Sequence, residues 1–180
     1  MRLDLSITGG NLKGTNFYSP DSPKTHPMSS RVKQAIFNML GDISNLRVLD
    51  LFAGSGAIGF ESISRGAGSA VLVDNDYKAV SAARESTIKL GLSAKVHLVD
   101  RSFEEYINQD DNLFDLVFVD PPYDHLPQNL NLVEDKVSSG GLLILSLPNS
   151  NKTGQDFDFK SLRMVKQKQY GKVLIQIYKK

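Results

Sequence analysis

The chain has 180 residues, 41% of them hydrophobic, which suits a single domain with a buried core. It contains no cysteine, which excludes disulfide scaffolds, thiolate metal sites and cysteine nucleophiles. The net charge of +1 hides a division: residues 1–47 hold six Lys/Arg against three Asp/Glu, residues 48–158 eight against seventeen, and residues 159–180 seven against none. The start, MRLDLSITGG, has no signal-peptide pattern, and no apolar run is long enough to span a bilayer, so a soluble cytoplasmic protein is expected.

In chain order, the alternating LDLSIT, the pair Gly9-Gly10 and a short stretch from Gly14 to Tyr18 predict a small hairpin. SPDSPKTHPM, residues 19–28, carries three prolines and reads as an exposed connection. Residues 1–28 are thus expected to form an N-terminal hairpin extension, and residues 29–180 the main domain. Ser29 or Ser30 can cap a helix over SRVKQAIFNML, whose Val32, Ile36 and Met39 or Leu40 share one stripe, with Gly41 near its end.

Short runs rich in Val, Leu and Ile then follow at RVLDLF, SAVLVD, KVHLVD, LFDLVFVD and GLLILSL. Helical stretches over residues 57–65, 76–90, 102–108 and about 125–138 separate them. Strands buried on both faces and joined by helical crossovers predict a mostly parallel, doubly wound α/β sheet. SLRMVKQKQ, Tyr170-Gly171 and KVLIQIYKK predict a closing antiparallel hairpin. That basic end suits a polyanionic partner or is simply a solvated face; the acidic middle does not suit one.

Ligands of such sheets sit beyond the carboxyl ends of the strands, where the strand order reverses. After the first strand of the main domain stands Asp50-Leu-Phe52-Ala53-Gly54-Ser55-Gly56, a turn whose glycines let backbone approach a ligand. The chain has no GxxxxGK[ST] phosphate loop. Asp74, at the second strand end, is placed to accept from ribose hydroxyls, with a helix cap by Asp74 or Asp76 as the competing role. Asp100, Arg101 and Ser102 follow the third strand and offer a carboxylate for an adenine amine with Phe103 nearby; here too Asp100 or Ser102 could be a cap.

The fourth strand ends in Asp120-Pro121-Pro122-Tyr123. Proline fixes the backbone and removes a donor, so the local carbonyls keep a set direction. The Asp120 carboxylate and the Pro121 carbonyl can accept the two hydrogens of an exocyclic amine while Tyr123 stacks on its base. Such a grip aims the nitrogen lone pair for an in-line displacement.

DLFAGSG, Asp74, Asp100 and DPPY, in this order and spacing, resemble the S-adenosylmethionine-dependent amino-methyltransferases. With ITGGNLKG, SRVKQAIFNML and QYGKVLIQIY, the chain resembles the RsmD family over almost its whole length. The resemblance implies a Rossmann-like class I methyltransferase fold, S-adenosylmethionine as cofactor and no metal. It also implies methylation of a guanine N2 amine in small-subunit (16S) ribosomal RNA, in a protein-bound or assembled subunit. Arg2, Lys13, Lys24, Arg31 and Lys33 are the candidate RNA contacts, with the basic tail second. The chain departs from the family pattern at His26-Pro27-Met28, where Arg-Pro-Thr is common. Asp74 stands where glutamate is usual, Ser86 where asparagine is frequent, and Ser146 where an acid is frequent. A DNA adenine-N6 methylase would share DPPY but needs a target-recognition segment for which 180 residues leave little room. A noncatalytic nucleotide-binding module would leave DPPY idle.

Overall fold

The computed structural model describes residues 2–20, 28–122, 126–127, 129–149 and 157–180. Two strands, β1 (Arg2–Ser6) and β2 (Asn16–Ser19), pair as an antiparallel hairpin. Helix α1 (Ser30–Leu40) begins on Ser29, whose hydroxyl accepts from the Val32 amide, and ends at Gly41 in the left-handed region. Next come β3 (Arg47–Leu51), α2 (Ala57–Ser64), β4 (Ser69–Asp74), α3 (Tyr77–Lys89), β5 (Val96–Asp100), α4 (Phe103–Gln109) and β6 (Phe114–Val119). A 3-10 helix (Leu130–Lys136), β7 (Val137–Pro148), β8 (Arg163–Tyr170) and β9 (Val173–Lys179) complete the chain.

The main sheet has the order β5-β4-β3-β6-β7-β9-β8. Its first five strands are mutually parallel, and β9 and β8 form the antiparallel hairpin expected at the end. Both faces are covered, which is why the central strands read as unbroken apolar runs. Val48, Leu72, Leu116, Phe118 and Ile144 join the core on the side of α1, α2 and the hairpin. Leu49, Leu51, Val73, Val117 and Leu143 join the core beneath α4 and the 3-10 helix. Period-two alternation thus divides the buried residues of the central strands between the two sides.

The N-terminal hairpin is joined to this domain by its core and its hydrogen bonds. Ile7 and Phe17 are buried in the α1–α2 core, and the Phe17 ring meets Phe60 edge-on at 5.3 Å. The Asn11 amide donates to the Ser64 carbonyl at 2.7 Å, and the Ser64 hydroxyl donates to the Gly9 carbonyl at 2.6 Å. Gly10 has a φ of 76°, and a β-carbon there would lie 1.9 Å from the Ser64 carbonyl oxygen, so both conformation and space demand glycine. Ser86 explains itself at the same seam: its hydroxyl donates to the Ala82 carbonyl and accepts the Tyr18 amide, tying β2 to α3.

One sequence expectation fails here. Lys33 lies on the buried side of α1 at 3% exposure, 3.4 Å from the fully buried Glu61 carboxylate. Its ammonium also donates to the Ser6 carbonyl. Burial lowers its pKa more than Glu61 raises it. Burial pushes the Glu61 carboxyl up, but hydrogen bonds from Thr8 and Arg65 and the charge of Lys33 outweigh it and hold the group below its ordinary value. Lys33 is therefore a structural cation, turned away from any polyanion.

Two boundaries also move. The helix expected over 125–138 is a 3-10 helix confined to Leu130–Lys136 among the described residues, and the strand expected at GLLILSL begins earlier, at Val137. Among the described residues, no helix is long and apolar enough to cross a membrane.

Candidate active site

The switch in strand order falls between β3 and β6, because the chain moves from β3 outward through β4 and β5 and then returns to β6 on the other side. Register places the acids there. Asp74 lies opposite Asp100. Asp50 lies opposite Leu72 on β4 and Phe118 on β6, so Phe52, Asp74 and Asp120 continue one row just beyond the strand ends. Asp50, Asp74 and Asp120 share the face of Val48, Leu72 and Phe118, with Asp50 one rung lower.

The glycine turn crosses this row. Gly54 and Gly56 have φ of 54° and 78°, and Phe52 itself adopts 64°. The left-handed residues turn the chain sharply from strand to helix. The Gly54 amide donates to Asp74 Oδ2 at 2.7 Å, and the Asp76 amide donates to Asp74 Oδ1 at 2.8 Å. Asp74 thus braces both the turn and its own loop, and its carboxylate keeps acceptor capacity for a ligand. Burial raises its pKa against backbone hydrogen bonds from Asp76, Gly54 and Asn75.

Asp74 faces a cleft of about 300 Å³ lined by Phe52, Val73, Asn75, Arg101, Phe103, Glu104, Pro122 and Pro127. The rings of Phe52 and Phe103 stack at 5.5 Å with 17° between their planes, forming an aromatic wall. The cleft thus joins residues that follow β3, β4, β5 and β6. Its composition, apolar walls with a few convergent polar groups, is that of a small-ligand site.

The predicted residues divide within this arrangement. Phe52, Asp74, Arg101 and Pro122 line the cleft. Asp50 does not: it is 1% exposed, its carboxylate accepts from the Gly59 amide at 3.1 Å, and it supports the turn from beneath. Burial, with the nearby charge of Asp120, pushes its pKa well up. Ala53, Gly54, Ser55 and Gly56 form the turn, with the Gly56 amide donating to the Ala53 carbonyl. Asp100 is exposed at the end of β5. Ser102 is spent on a capping box with Glu105: its hydroxyl accepts the Glu105 amide, and Glu105 accepts the Ser102 amide. The cap role also holds for Asp76, which accepts the Lys78 amide at the start of α3.

Asp120 stands half-buried at the end of β6, and Pro121 beside it is buried. Burial raises the Asp120 pKa to about 6, against a lowering hydrogen bond from the Ser146 hydroxyl. Ser146 is the neighbour that register dictates, since Val119 pairs with Leu145. Tyr123 lies outside the described residues, as does Lys24. Arg2, Lys13 and Arg31 are exposed. Asn75, Glu104, Val73 and Pro127 were not singled out from sequence; Asn75 and Val73 flank Asp74 and were findable from the rule that strand ends carry the site. Among the described residues, no group of three or more His, Asp or Glu is arranged to hold a metal ion.

Residues 5–179 match the model of a family described as conserved hypothetical protein 95. The chain is 35% identical over 134 residues to "Ribosomal RNA small subunit methyltransferase D" of Escherichia coli strain K12, covering 73% of this chain and 67% of that protein. It is 30% identical over 185 residues to "Putative rRNA methyltransferase YlbH" of Bacillus subtilis strain 168, covering 98% of this chain and 99% of the relative. Among solved structures, "Putative methyltransferase yhhF" from Escherichia coli superposes with a TM-score of 0.86 at 28% identity, covering 98% of this chain and 97% of that one.

Proposed function

The chain belongs to the RsmD family of methyltransferases, and from that membership we propose that it methylates the exocyclic N2 amine of a guanine in small-subunit (16S) ribosomal RNA, using S-adenosylmethionine. One observation carries the reading: Pro122, from the DPPY segment, and Asp74, from the glycine-turn side, line the same cleft. An amine held at Asp120 would therefore meet a cofactor held over Asp74.

The cleft suits that cofactor chemically. Asp74 offers lone pairs to ribose hydroxyls, and the Phe52–Phe103 wall offers an apolar surface to adenine. When bound, S-adenosylmethionine supplies a methyl group carried on a positively charged sulfonium.

The remaining work falls to the DPPY segment. A guanine amine is a weak nucleophile because its lone pair is delocalised into the ring. The Asp120 carboxylate and the Pro121 carbonyl accept its two hydrogens and favour a more tetrahedral nitrogen. They also stabilise the positive charge that grows on nitrogen as the N–C bond forms and the S–C bond breaks, an interaction strongest in the transition state. One amine proton then leaves to the Asp120 carboxylate or to water. A carboxyl raised to about 6 stays mostly ionised at neutral pH yet is a better proton acceptor than an exposed aspartate. The target base must leave its stack to reach this depth, and Tyr123 is assigned to take over its stacking. Arg2, Lys13 and Arg31 supply backbone contacts beside the hairpin, and the substrate is RNA within an assembled or partly assembled subunit.

The test is transfer of labelled methyl to undermethylated small subunits, to naked ribosomal RNA and to duplex DNA, followed by nucleoside analysis. N2-methylguanosine from the subunit sample is expected. Label appearing as N6-methyladenine in DNA would overturn the ribosomal assignment.

A further inference from the structure

The C-terminal edge of the sheet has a charge pattern and an alignment that the site above does not use. Strand β8 is exposed from Arg163 to Gln169, and residues 159–180 contain no acid. Among the described residues, Arg163, Lys166, Lys168 and Lys172 form no ion pair.

Register ties this edge to the catalytic end. Ser146 pairs with Ile175 on β9, and Ile175 pairs with Lys168 on β8. Because Ser146 is also the neighbour of Asp120, one row runs Asp120, Ser146, Ile175, Lys168. Three strand spacings of about 4.8 Å put Lys168 roughly 14 Å from Asp120. Lys166 and Lys168 pair with Ile177 and Ile175, so they project on the same face as Asp120. The Lys168 ammonium lies 5.5 Å from the centre of the Tyr170 ring, which is itself packed on that core. The turn carrying Lys172 is at this end too, since the Asn149 amide, just past β7, donates to the Lys172 carbonyl at 2.7 Å.

We propose that Lys166, Lys168 and Lys172, on the β8–β9 edge, form a phosphate-binding rail that holds the RNA strand flanking the target base. The proposal rests on the functional reading above. A span of roughly 14 Å corresponds to about four nucleotides at the ~3.4 Å axial rise of a stacked, helical strand. The rail reads no sequence; it contributes charge at a fixed distance from the amine grip. Lysines on an edge strand also discourage strand-to-strand association, which any exposed edge requires. What separates the rail from that simpler role is the alignment of Lys166 and Lys168 on the face of Asp120, with the turn that carries Lys172 at the same end.

The experiment compares the wild type, a Lys166→Ala/Lys168→Ala/Lys172→Ala variant, and a Lys89→Ala/Lys95→Ala control at the opposite end of the sheet. Binding to undermethylated 16S RNA and to the corresponding small subunits is measured from about 50 to about 300 mM salt. Cofactor affinity checks that each variant is folded, since all five lysines are exposed. Losing three phosphate contacts should flatten the slope of log affinity against log salt by about 2, while the control keeps the wild-type slope. In methyl transfer, KM for RNA should rise and kcat at saturating RNA should stay within about twofold. An unchanged slope in the triple variant would reduce the edge to a solubilising surface and overturn the rail. Weakened subunit binding with unchanged RNA binding would also overturn it, in favour of a protein contact. If the wild type transfers methyl to no RNA but the slopes still differ, the rail stands and the functional reading fails.

Discussion

Ser146 is the residue through which the ionisation of Asp120 can be moved without touching Asp120. The residue is 2% exposed, and its hydroxyl donates to a carboxylate whose pKa burial raises to about 6. Ser146→Ala deletes the donor and little volume. A hydrogen bond to a charged group contributes about 1.5–3 kcal/mol, and one pKa unit corresponds to about 1.4 kcal/mol, so the Asp120 value should climb by roughly 1–2 units. The assay is kcat/KM for RNA across pH, which reports the free enzyme. The wild type should show an acidic limb near 6, and the variant a limb about 1.5 units higher. At pH about 6.5 the variant should then be roughly eightfold slower, and above pH about 9 nearly equal to wild type. A loss of the same size at every pH, or an unmoved limb, would refute the claim that ionised Asp120 is the working form.

Three further outcomes follow from the same geometry. Asp74→Ala removes the brace on the Gly54 amide as well as the ligand acceptor, so cofactor affinity by calorimetry should fall tenfold or more, by the ~1.4 kcal/mol that one lost charged hydrogen bond represents. Glu61→Gln leaves the Lys33 charge buried without its partner, which typically costs about 3–5 kcal/mol, and should lower Tm by roughly 10 °C in a scanning experiment. The folded-state pKa of Asp120 lies above its ordinary 3.8, so its contribution to stability is full below about 3.8 and is lost as pH rises through about 6. Asp120→Asn should remove that loss, raising stability at pH about 7.5 by up to about 3 kcal/mol in urea titrations, with little change near pH 4.

Much of this was legible in the sequence because both faces of a parallel sheet are covered. SAVLVD and LFDLVFVD read as strands from their continuous apolar character, and the acids that break each run mark the carboxyl ends where ligands of such sheets bind. Lys33 was misread because a cation at a helix surface looks solvated. The available signal was its placement four residues before Phe37, on the apolar stripe, with Glu61 in a helix whose every residue is buried. Ser102 read as a ligand with a cap as the competing role, and its local geometry with Glu105 makes it a cap. The 3-10 helix was beyond periodicity, since seven residues do not distinguish a repeat of three from one of 3.6. Ser146 and Ser86 showed only as departures from a pattern. Their roles depend on strand register and on the docking of β2 against α3, which no local window contains.

In the proposed mechanism Asp120 acts on the amine, and Asp74, across a cleft also lined by Pro122, acts on the cofactor. Single-turnover methyl transfer to undermethylated small subunits by Asp120→Ala, with cofactor affinity measured on the same preparation, tests it most directly. Transfer should fall by about a hundred- to a thousandfold, the scale of removing one preorganised transition-state contact, with cofactor affinity within a few fold of wild type. Transfer at the wild-type rate, or a loss explained entirely by weaker cofactor binding, would contradict it.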